Sequence, residues 1–484
     1  MSIEIWSDRK KISYVINSLI VIALMLFFGY LPAPAPITPL GMRLLGIFLG
    51  LLWGWSFVDM FWTSLLGLLA TGLSGYMTVT AAIATGFGST ITQMVLFACA
   101  FSAYLSAIGF TNYLAYWFIS RKITVGRPYV FMFMILLSAF VLGASTSVIA
   151  TTLIVWMIFY SVCDTLGYKP GDTFVSAIMV GIPYVAAIGG SLFPWKPIAA
   201  IVFGYTSAVG YEADFISFTL VGLAISLGCI LGYLAIIKWI IRPDLTLLKN
   251  AGDKFSEHRN IKMTGIQKIG GSALVAYILM LFLPEIMPVG MFGRAALKGM
   301  GMAGCMMAIC LVLVAIRPKG TPLMDFRKSA ANGIQWDMIV LIASSLPVAN
   351  GLGSEDAGIM AFIGVHFGEA IGSLSPIIFI AAVTLVASIV TQVAHNLVCA
   401  AIMTPIMCQF AIQLGISPLI ITPLLCMALN IAIATPGAST TGAVIFGNKA
   451  WCPTKHAYLY NFYAWILIMI VMIIIGMPVS LLFA

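Results

Sequence analysis

The sequence predicts an all-α polytopic membrane protein built from inverted repeats, with about 11 transmembrane helices, two re-entrant hairpins and two broken helices. Three observations predict it. The composition is 61% hydrophobic and 8% charged, with a mean hydropathy of +1.08, where a soluble domain carries roughly 25% charged residues. The apolar runs are long enough to span a hydrocarbon core about 30 Å thick, and the basic residues between them gather on one side. A polar-tipped hairpin followed by a helix broken by Gly and Pro occurs once in each half.

Composition alone excludes several classes of function. With 24 Lys+Arg and 16 Asp+Glu in 484 residues, too little polar surface exists to clothe a water-soluble globule. The lipid bilayer is therefore the first partner. The net charge of +8 reads as topology, not as a groove for nucleic acid. The nine cysteines form no CxxC pair, and all except Cys452 fall in apolar segments, where free Cys packs as a small hydrophobe. No disulfide framework, metal site or organic cofactor is expected.

The elements follow in order. Arg9, Lys10 and Lys11 precede the apolar run Ile12 to Leu31, whose length and lack of a small-residue cleavage site predict a first transmembrane helix with a cytoplasmic N-terminus. Runs near 42–56, 58–75 and 91–110 continue the first half, with Trp53, Trp55, Phe57 and Trp62 as an aromatic belt. Thr111 to Ile123 pairs basic with apolar residues and predicts an interfacial helix. Residues 128–162 read as two half-spans around Gly143-Ala-Ser-Thr-Ser147, a hairpin rather than a through-going helix. Residues 173–207 are interrupted at Ala187-Ile-Gly-Gly-Ser-Leu-Phe-Pro-Trp-Lys-Pro197, and 215–240 returns to the cytoplasm. Arg242 to Lys268, with six basic residues, reads as a solvated linker between the halves.

The second half repeats the plan. Spans near 269–287, 299–316 and 337–352 enclose a second interfacial segment, Leu323 to Ile334. Residues 374–412 form a hairpin of two half-spans around Thr391-Gln-Val-Ala-His-Asn396, and 416–447 break at Ala434-Thr-Pro-Gly-Ala-Ser-Thr-Thr441. A last helix, 459–483, leaves the C-terminus outside. The broken helices lead into Ala200-Ile-Val-Phe-Gly204 and Ala443-Val-Ile-Phe-Gly447, almost identical ends. On this count the cytoplasmic segments and their flanks hold 20 of the 24 basic residues, leaving Arg43, Arg294 and Lys298 outside and Lys196 within the bilayer. One miscounted span would invert every later loop. The first hairpin enters from the cytoplasm and the second from outside, an inversion found in secondary transporters, whose site lies where tips meet breaks.

Charge then selects the cargo. No Asp or Glu falls at a tip or a break, whereas cation exporters and many proton pumps rely on intramembrane carboxylates. What the tips and breaks offer is hydroxyls, amides and half-helix N-termini whose N–H groups suit anions. Lys196, between Pro194 and Pro197, and His395 are the ionisable side chains beside them. The candidate residues for a small anionic substrate are Ser145, Thr146, Ser147, Lys196, His395, Asn396, Ser439, Thr440 and Thr441, with Thr391 and Gln392 at the second tip. No catalytic residues are expected, because His395 with Ser145 or Ser147 has no carboxylate or second histidine at mid-depth to orient it. A channel would need a continuous hydrophilic path, which isolated tips do not supply.

This order of elements resembles the divalent anion:sodium symporter family of the ion transporter superfamily. The residues that carry the likeness are Ile334-Gln-Trp-Asp337, His395-Asn-Leu-Val-Cys-Ala-Ala-Ile-Met-Thr-Pro-Ile406 against the family's Ser-Asn-Thr hairpin ending in Leu-Pro-Ile, and Ala434-Thr-Pro-Gly437 against its Thr-Pro-Pro break. The resemblance implies a homodimer in the inner or plasma membrane that carries di- or tricarboxylates (succinate, malate, citrate class) by an elevator mechanism. It implies a scaffold of 1–120 and 269–373, a mobile part of 121–240 and 374–484, and a cytoplasmic linker of 241–268. Sodium is the implied coupling ion, with candidate ligands at Ser147, Gly189, Gly190, Thr391, Asn396 and Ala434. The chain departs from the motif in both hairpins. Aligned through Ala150-Thr-Thr152, Ser147 keeps the first residue while Val148 and Ile149 replace Asn and Thr; Asn396 keeps the second while His395 and Leu397 replace Ser and Thr. Neither valine nor imidazole gives sodium an oxygen, so exchange and proton coupling stay open, as do an oxyanion or metal-citrate cargo. In that case the amine of Lys196 stands in for a missing cation.

Overall fold

The structure is a computed structural model that describes residues 8–211, 214–250, 262–318, 320–372 and 375–483; most of the predicted linker, 251–261, lies outside the described residues. Among those described, the regular structure is helical. The first half runs α1 (Asp8–Phe27), α2 (Pro39–Phe57), α3 (Met60–Leu73), α4 (Val79–Phe87), α5 (Thr90–Ala107) and α6 (Phe110–Ile119). It continues with α7 (Pro128–Ser145), α8 (Val148–Leu166), α9 (Thr173–Gly189), α10 (Pro197–Ala208) and α11 (Phe215–Ile236). After the short α12 (Thr246–Lys249), the second half runs α13 (Gly265–Ile286), α14 (Arg294–Ala315), α15 (Phe326–Gly333), α16 (Trp336–Leu352) and α17 (Ile359–Gly372). It ends with α18 (Pro376–Val390), α19 (Asn396–Gln413), α20 (Pro418–Asn430), α21 (Thr440–Gly447), α22 (Thr454–Val471) and α23 (Met477–Leu481). Among the described residues, ten helical stretches are long and apolar enough to cross a membrane. The chain is a multi-pass membrane protein.

Helix starts follow the local chemistry. Thr38, Asp59, Ser89, Asp214, Ser375 and Ser417 accept N–H bonds from the first turns they precede, and Pro39, Pro128, Pro197, Pro376 and Pro418 open helices where a missing N–H costs nothing. Helices also stop where Gly and Pro predict it. Between α9 and α10 the chain is non-helical from 190 to 196, and between α20 and α21 from 431 to 439. The hairpins are α7 with α8, joined through Thr146 and Ser147, and α18 with α19, joined through 391–395.

The hairpin arms differ from the predicted half-spans. α7, α8 and α19 contain 18, 19 and 18 residues and are among the ten stretches long enough to cross, each about 27 Å at 1.5 Å per residue. The first arm packs closely on the first broken helix. A Cβ on Gly143 would lie 2.3 Å from the Ala186 carbonyl oxygen, and one on Gly189 would lie 2.2 Å from that of Phe140, so α7 and α9 approach backbone to backbone through small residues. The tip of the first hairpin is thereby held beside the first break. α3, α9, α16 and α20 are shorter than those ten, so length alone does not count the crossings.

Loop contacts sort the ends into two faces. Gly171 N–H donates to Trp451 carbonyl (3.2 Å) and Tyr168 hydroxyl to Asp244 carbonyl (3.2 Å), gathering the loops after α8, α11 and α21. Thr38 N–H donates to Ala357 carbonyl (3.1 Å) and Arg43 to Ser74 carbonyl (3.0 Å), gathering those after α1, α3 and α16. α6 and α15 occupy the two segments predicted as interfacial, and the Arg121 guanidinium beyond α6 lies 3.4 Å from the centre of the Trp117 ring.

Candidate functional site

At the first tip the hydroxyls turn back on their own helix. Ser145 donates to the Val141 carbonyl (2.6 Å) and Thr146 to that of Leu142 (2.9 Å), ending α7, while Thr146 and Thr151 hydroxyls share a contact of 3.1 Å. Ser147 then opens α8 from an exposed position, and its side chain makes no capping bond. Across from it α9 ends at Gly189 and Gly190. Lys196 precedes the first residue of α10, is 7% exposed, and donates from Nζ to the Thr146 carbonyl. That bond joins the first break to the first tip.

The second tip is built around one amide. Gln392 Nε2 donates to the carbonyls of Ser388 (2.9 Å) and Ile431 (2.6 Å), and its Oε1 accepts from the N–H groups of Ile433 (3.2 Å) and Ala434 (3.0 Å). Both donors and both acceptor positions of the side chain are used. Thr391 donates to the Leu429 carbonyl (3.0 Å), and Thr435 to the Gln392 carbonyl (2.6 Å). Asn396 N–H donates to the Ala438 carbonyl (3.1 Å), while its Oδ1 and His395 Nδ1 both accept from Leu397 N–H, at 2.9 and 3.3 Å. Ser439 caps α21, donating to the Ala432 carbonyl (2.6 Å) and accepting from Gly442 N–H (3.0 Å). Thr440 is exposed and Thr441 buried on the first turn that follows.

The two breaks meet through a residue not among those predicted. Asn430, the last residue of α20, donates to the Ala187 carbonyl and to the Ser191 hydroxyl, each at 2.7 Å. Gly190 sits between the pieces: a Cβ there would lie 2.5 Å from Val148 Cγ2 and 3.2 Å from Asn430 Nδ2. α8 also packs against α21, and α10 against α19. Four helix N-termini (α8, α10, α19, α21) and four C-termini (α7, α9, α18, α20) thus belong to one connected set of tips and breaks.

Of the predicted residues, Thr146 and Lys196 are bonded to each other, and Thr391, Asn396, Ala434 and Ser439 share the second network. Ser147 and Thr440 lie exposed at helix starts, whereas the Ser145 hydroxyl and the His395 ring bond within their own helices. No hydrogen bond among the described residues joins His395 to either serine. Asn430 and Ser191 escaped the sequence reading, although Asn430 is the one side-chain amide in Pro418–Asn430 and ends the helix at the break. Gln392 was placed at the tip, but its four bonds are not visible in sequence.

The chain is a multi-pass helical membrane protein whose paired hairpins and broken helices are joined into one polar network. Residues 48–397 match the profile described as citrate transporter, and the chain belongs to that family. The membership agrees with the resemblance to the divalent anion:sodium symporters. Two relatives carry the name sodium-dependent dicarboxylate transporter SdcS. That of Staphylococcus saprophyticus is 22% identical over 297 residues, covering 58% of this chain and 55% of its own. That of Staphylococcus aureus strain USA300 is 23% identical over 289 residues, covering 57% and 53%. The match therefore spans about half the length of these relatives. Among solved structures, the YdaH transporter of Alcanivorax borkumensis, described as having an unusual topology, shares the fold with a TM-score of 0.54 over 98% of both chains at 11% identity.

Proposed function

We propose that the protein is a secondary active transporter of organic anions, di- or tricarboxylates of the succinate, malate and citrate class, working by alternating access. The observation that carries the reading is the set of four helix N-termini at the tips and breaks, with the buried Lys196 beside them and no Asp or Glu in the set. The first turns of α8 and α10 carry no side-chain cap, and their N–H groups and positive dipole ends attract carboxylates, while α19 and α21, partly capped by Asn396 and Ser439, add their dipoles. Ser147 and Lys196 would hold one carboxylate from the first repeat; His395, Asn396, Ser439, Thr440 and Thr441 would hold the other from the second. The names of the relatives support a carboxylate as cargo.

In this reading residues 1–120 and 269–373 form a scaffold shared by two copies, and 121–240 with 374–484 move as an elevator. The N-terminus faces the cytoplasm and the C-terminus the outside of an inner or plasma membrane. Coupling is by sodium, as the relatives' names suggest, with ligands from Ser147, Gly189, Gly190, Thr391, Asn396 and Ala434, or by exchange. The test is reconstitution into liposomes with labelled succinate, malate, citrate and sulfate. We expect saturable counterflow of a carboxylate, weakened on the order of tenfold by Asn396→Ala and by Ser147→Ala, the loss of one charge-assisted hydrogen bond. Flux that never saturates, together with a melting temperature that no anion in the panel moves, would sink the proposal.

A further inference from the structure

The last turns of α11 depart from ordinary helix chemistry. The apolar stretch Phe215–Ile241 contains 27 residues, about 40 Å at 1.5 Å per residue, against a hydrocarbon core of roughly 30 Å. Its final turn therefore reaches headgroup depth. There Ile237–Ile241 widens into a π-helix, and the residue that ends it is Arg242, with φ 50° and ψ 57°. Every other described residue with a positive φ is glycine. A glycine would end the helix without steric cost, so an arginine held in that conformation indicates that the side chain itself is needed.

Two cations and two aromatic rings meet at this turn. Lys238 Nζ lies 5.3 Å from the centre of the Trp239 ring and 5.7 Å from that of Tyr129, the second residue of α7, so the ammonium is held against both rings. Arg242 Nε donates to the Trp239 carbonyl (2.7 Å), which leaves the rest of the guanidinium fork for another acceptor. Neither cation has an ion pair among the described residues. The nearest acid in sequence, Asp244, accepts from the N–H and the hydroxyl of Thr246 (2.9 and 2.6 Å). Around the cations Trp239 is 62% exposed, Ile240 58% and Tyr129 40%. Positive charge is thus ringed by apolar and aromatic groups at the depth where acyl chains begin.

The geometry points to a binding site for the headgroup of an anionic phospholipid, with Lys238 and Arg242 on the phosphate and Trp239, Ile240 and Tyr129 along the acyl chains. Orientation by charge asks only that basic residues lie on one side of the membrane. It asks for neither a left-handed arginine nor a lysine held between two rings. A dissolved phosphate would meet the charges and leave the apolar rim uncovered, whereas a lipid covers both. Bound there, it would also brace the first hairpin, because the chain leaving α11 is tied to the loop after α8. The Tyr168 hydroxyl donates to the Asp244 carbonyl (3.2 Å) and accepts from Leu248 N–H (3.3 Å). This site lies apart from the tips and breaks and is independent of the cargo proposed above.

The test is the melting temperature of the purified full-length protein in detergent with added phosphatidylglycerol, phosphatidylcholine or sodium phosphate. We expect phosphatidylglycerol to raise it by on the order of 3 °C over phosphatidylcholine, and sodium phosphate to leave it unchanged. Arg242→Gly, which relieves the left-handed backbone, should melt in phosphatidylcholine no lower than the wild type, yet lose roughly half or more of the phosphatidylglycerol shift. Lys238→Gln should lose a similar share. Lys10→Gln, which removes an exposed cation from the start of α1, should keep the whole shift. Equal melting in the two lipids overturns the inference, as does a full shift in both Arg242→Gly and Lys238→Gln, or an equal loss in Lys10→Gln. A shift reproduced by sodium phosphate assigns the charges to a dissolved anion and overturns the lipid. If Arg242→Gly does not fold, Lys238→Gln against Lys10→Gln decides.

Discussion

Four hydrogen bonds made by the Gln392 side chain, two given and two received, hold the second break in shape. Truncation at this buried position leaves carbonyls and N–H groups without partners, at about 1–3 kcal/mol for each group left unsatisfied. Gln392→Ala should therefore lower the melting temperature in detergent by more than Ser147→Ala, whose side chain caps nothing. Equal melting temperatures for the two variants would show that the amide is not what shapes the break. At this scale the sequence was half legible. Polar residues in an apolar run betray themselves, so Gln392, Lys196 and Asn396 could be placed at tips and breaks. Their partners could not, because Asn430 reaches Ser191 across 239 residues of chain and composition carries no trace of such a pairing.

At the scale of helices, Gly and Pro made the breaks readable, since Gly removes the Cβ that restricts the backbone and Pro removes a backbone donor, each at a known position. Arm length was not readable in the same way. Hydropathy marks where lipid ends, and it carries no sign that Gly143 and Gly189 let α7 and α9 touch. Gly189→Ala would set a methyl 2.2 Å from the Phe140 carbonyl and should destabilise by roughly 1–3 kcal/mol, the usual cost of overpacking. Gly299→Ala is the contrasting case, because a Cβ there meets nothing within 4 Å and the site lies in helix α14; it should leave the protein as stable or raise stability by up to about 1 kcal/mol. Thermal melts of the two variants side by side check the pair. If Gly189→Ala proves as stable as Gly299→Ala, the close approach of hairpin and broken helix is not rigid.

For the whole molecule, the basic residues carry the orientation, and the folded chain offers a clean way to read it. Eight of the nine cysteines are buried, and Cys99 is of intermediate exposure, so with Cys99 replaced by alanine an introduced cysteine reports alone. Phe292 is fully exposed between α13 and α14, and Ile123 is 50% exposed beyond α6. Phe292→Cys should react with a membrane-impermeant maleimide in right-side-out vesicles and Ile123→Cys only after permeabilisation; the reverse pattern would invert the topology. The repeat architecture was legible because a polar interruption in lipid is conspicuous wherever it occurs, while the meeting of the two interruptions in space was not. That meeting bears on how a solute would travel. Asn430 fastens the end of one repeat's broken helix to the interruption of the other with two bonds, so the two breaks cannot separate without losing both. If the protein carries anions as proposed, the passenger would be ferried inside one closed vessel, with its bonds intact from shore to shore, and not passed from one half of the protein to the other.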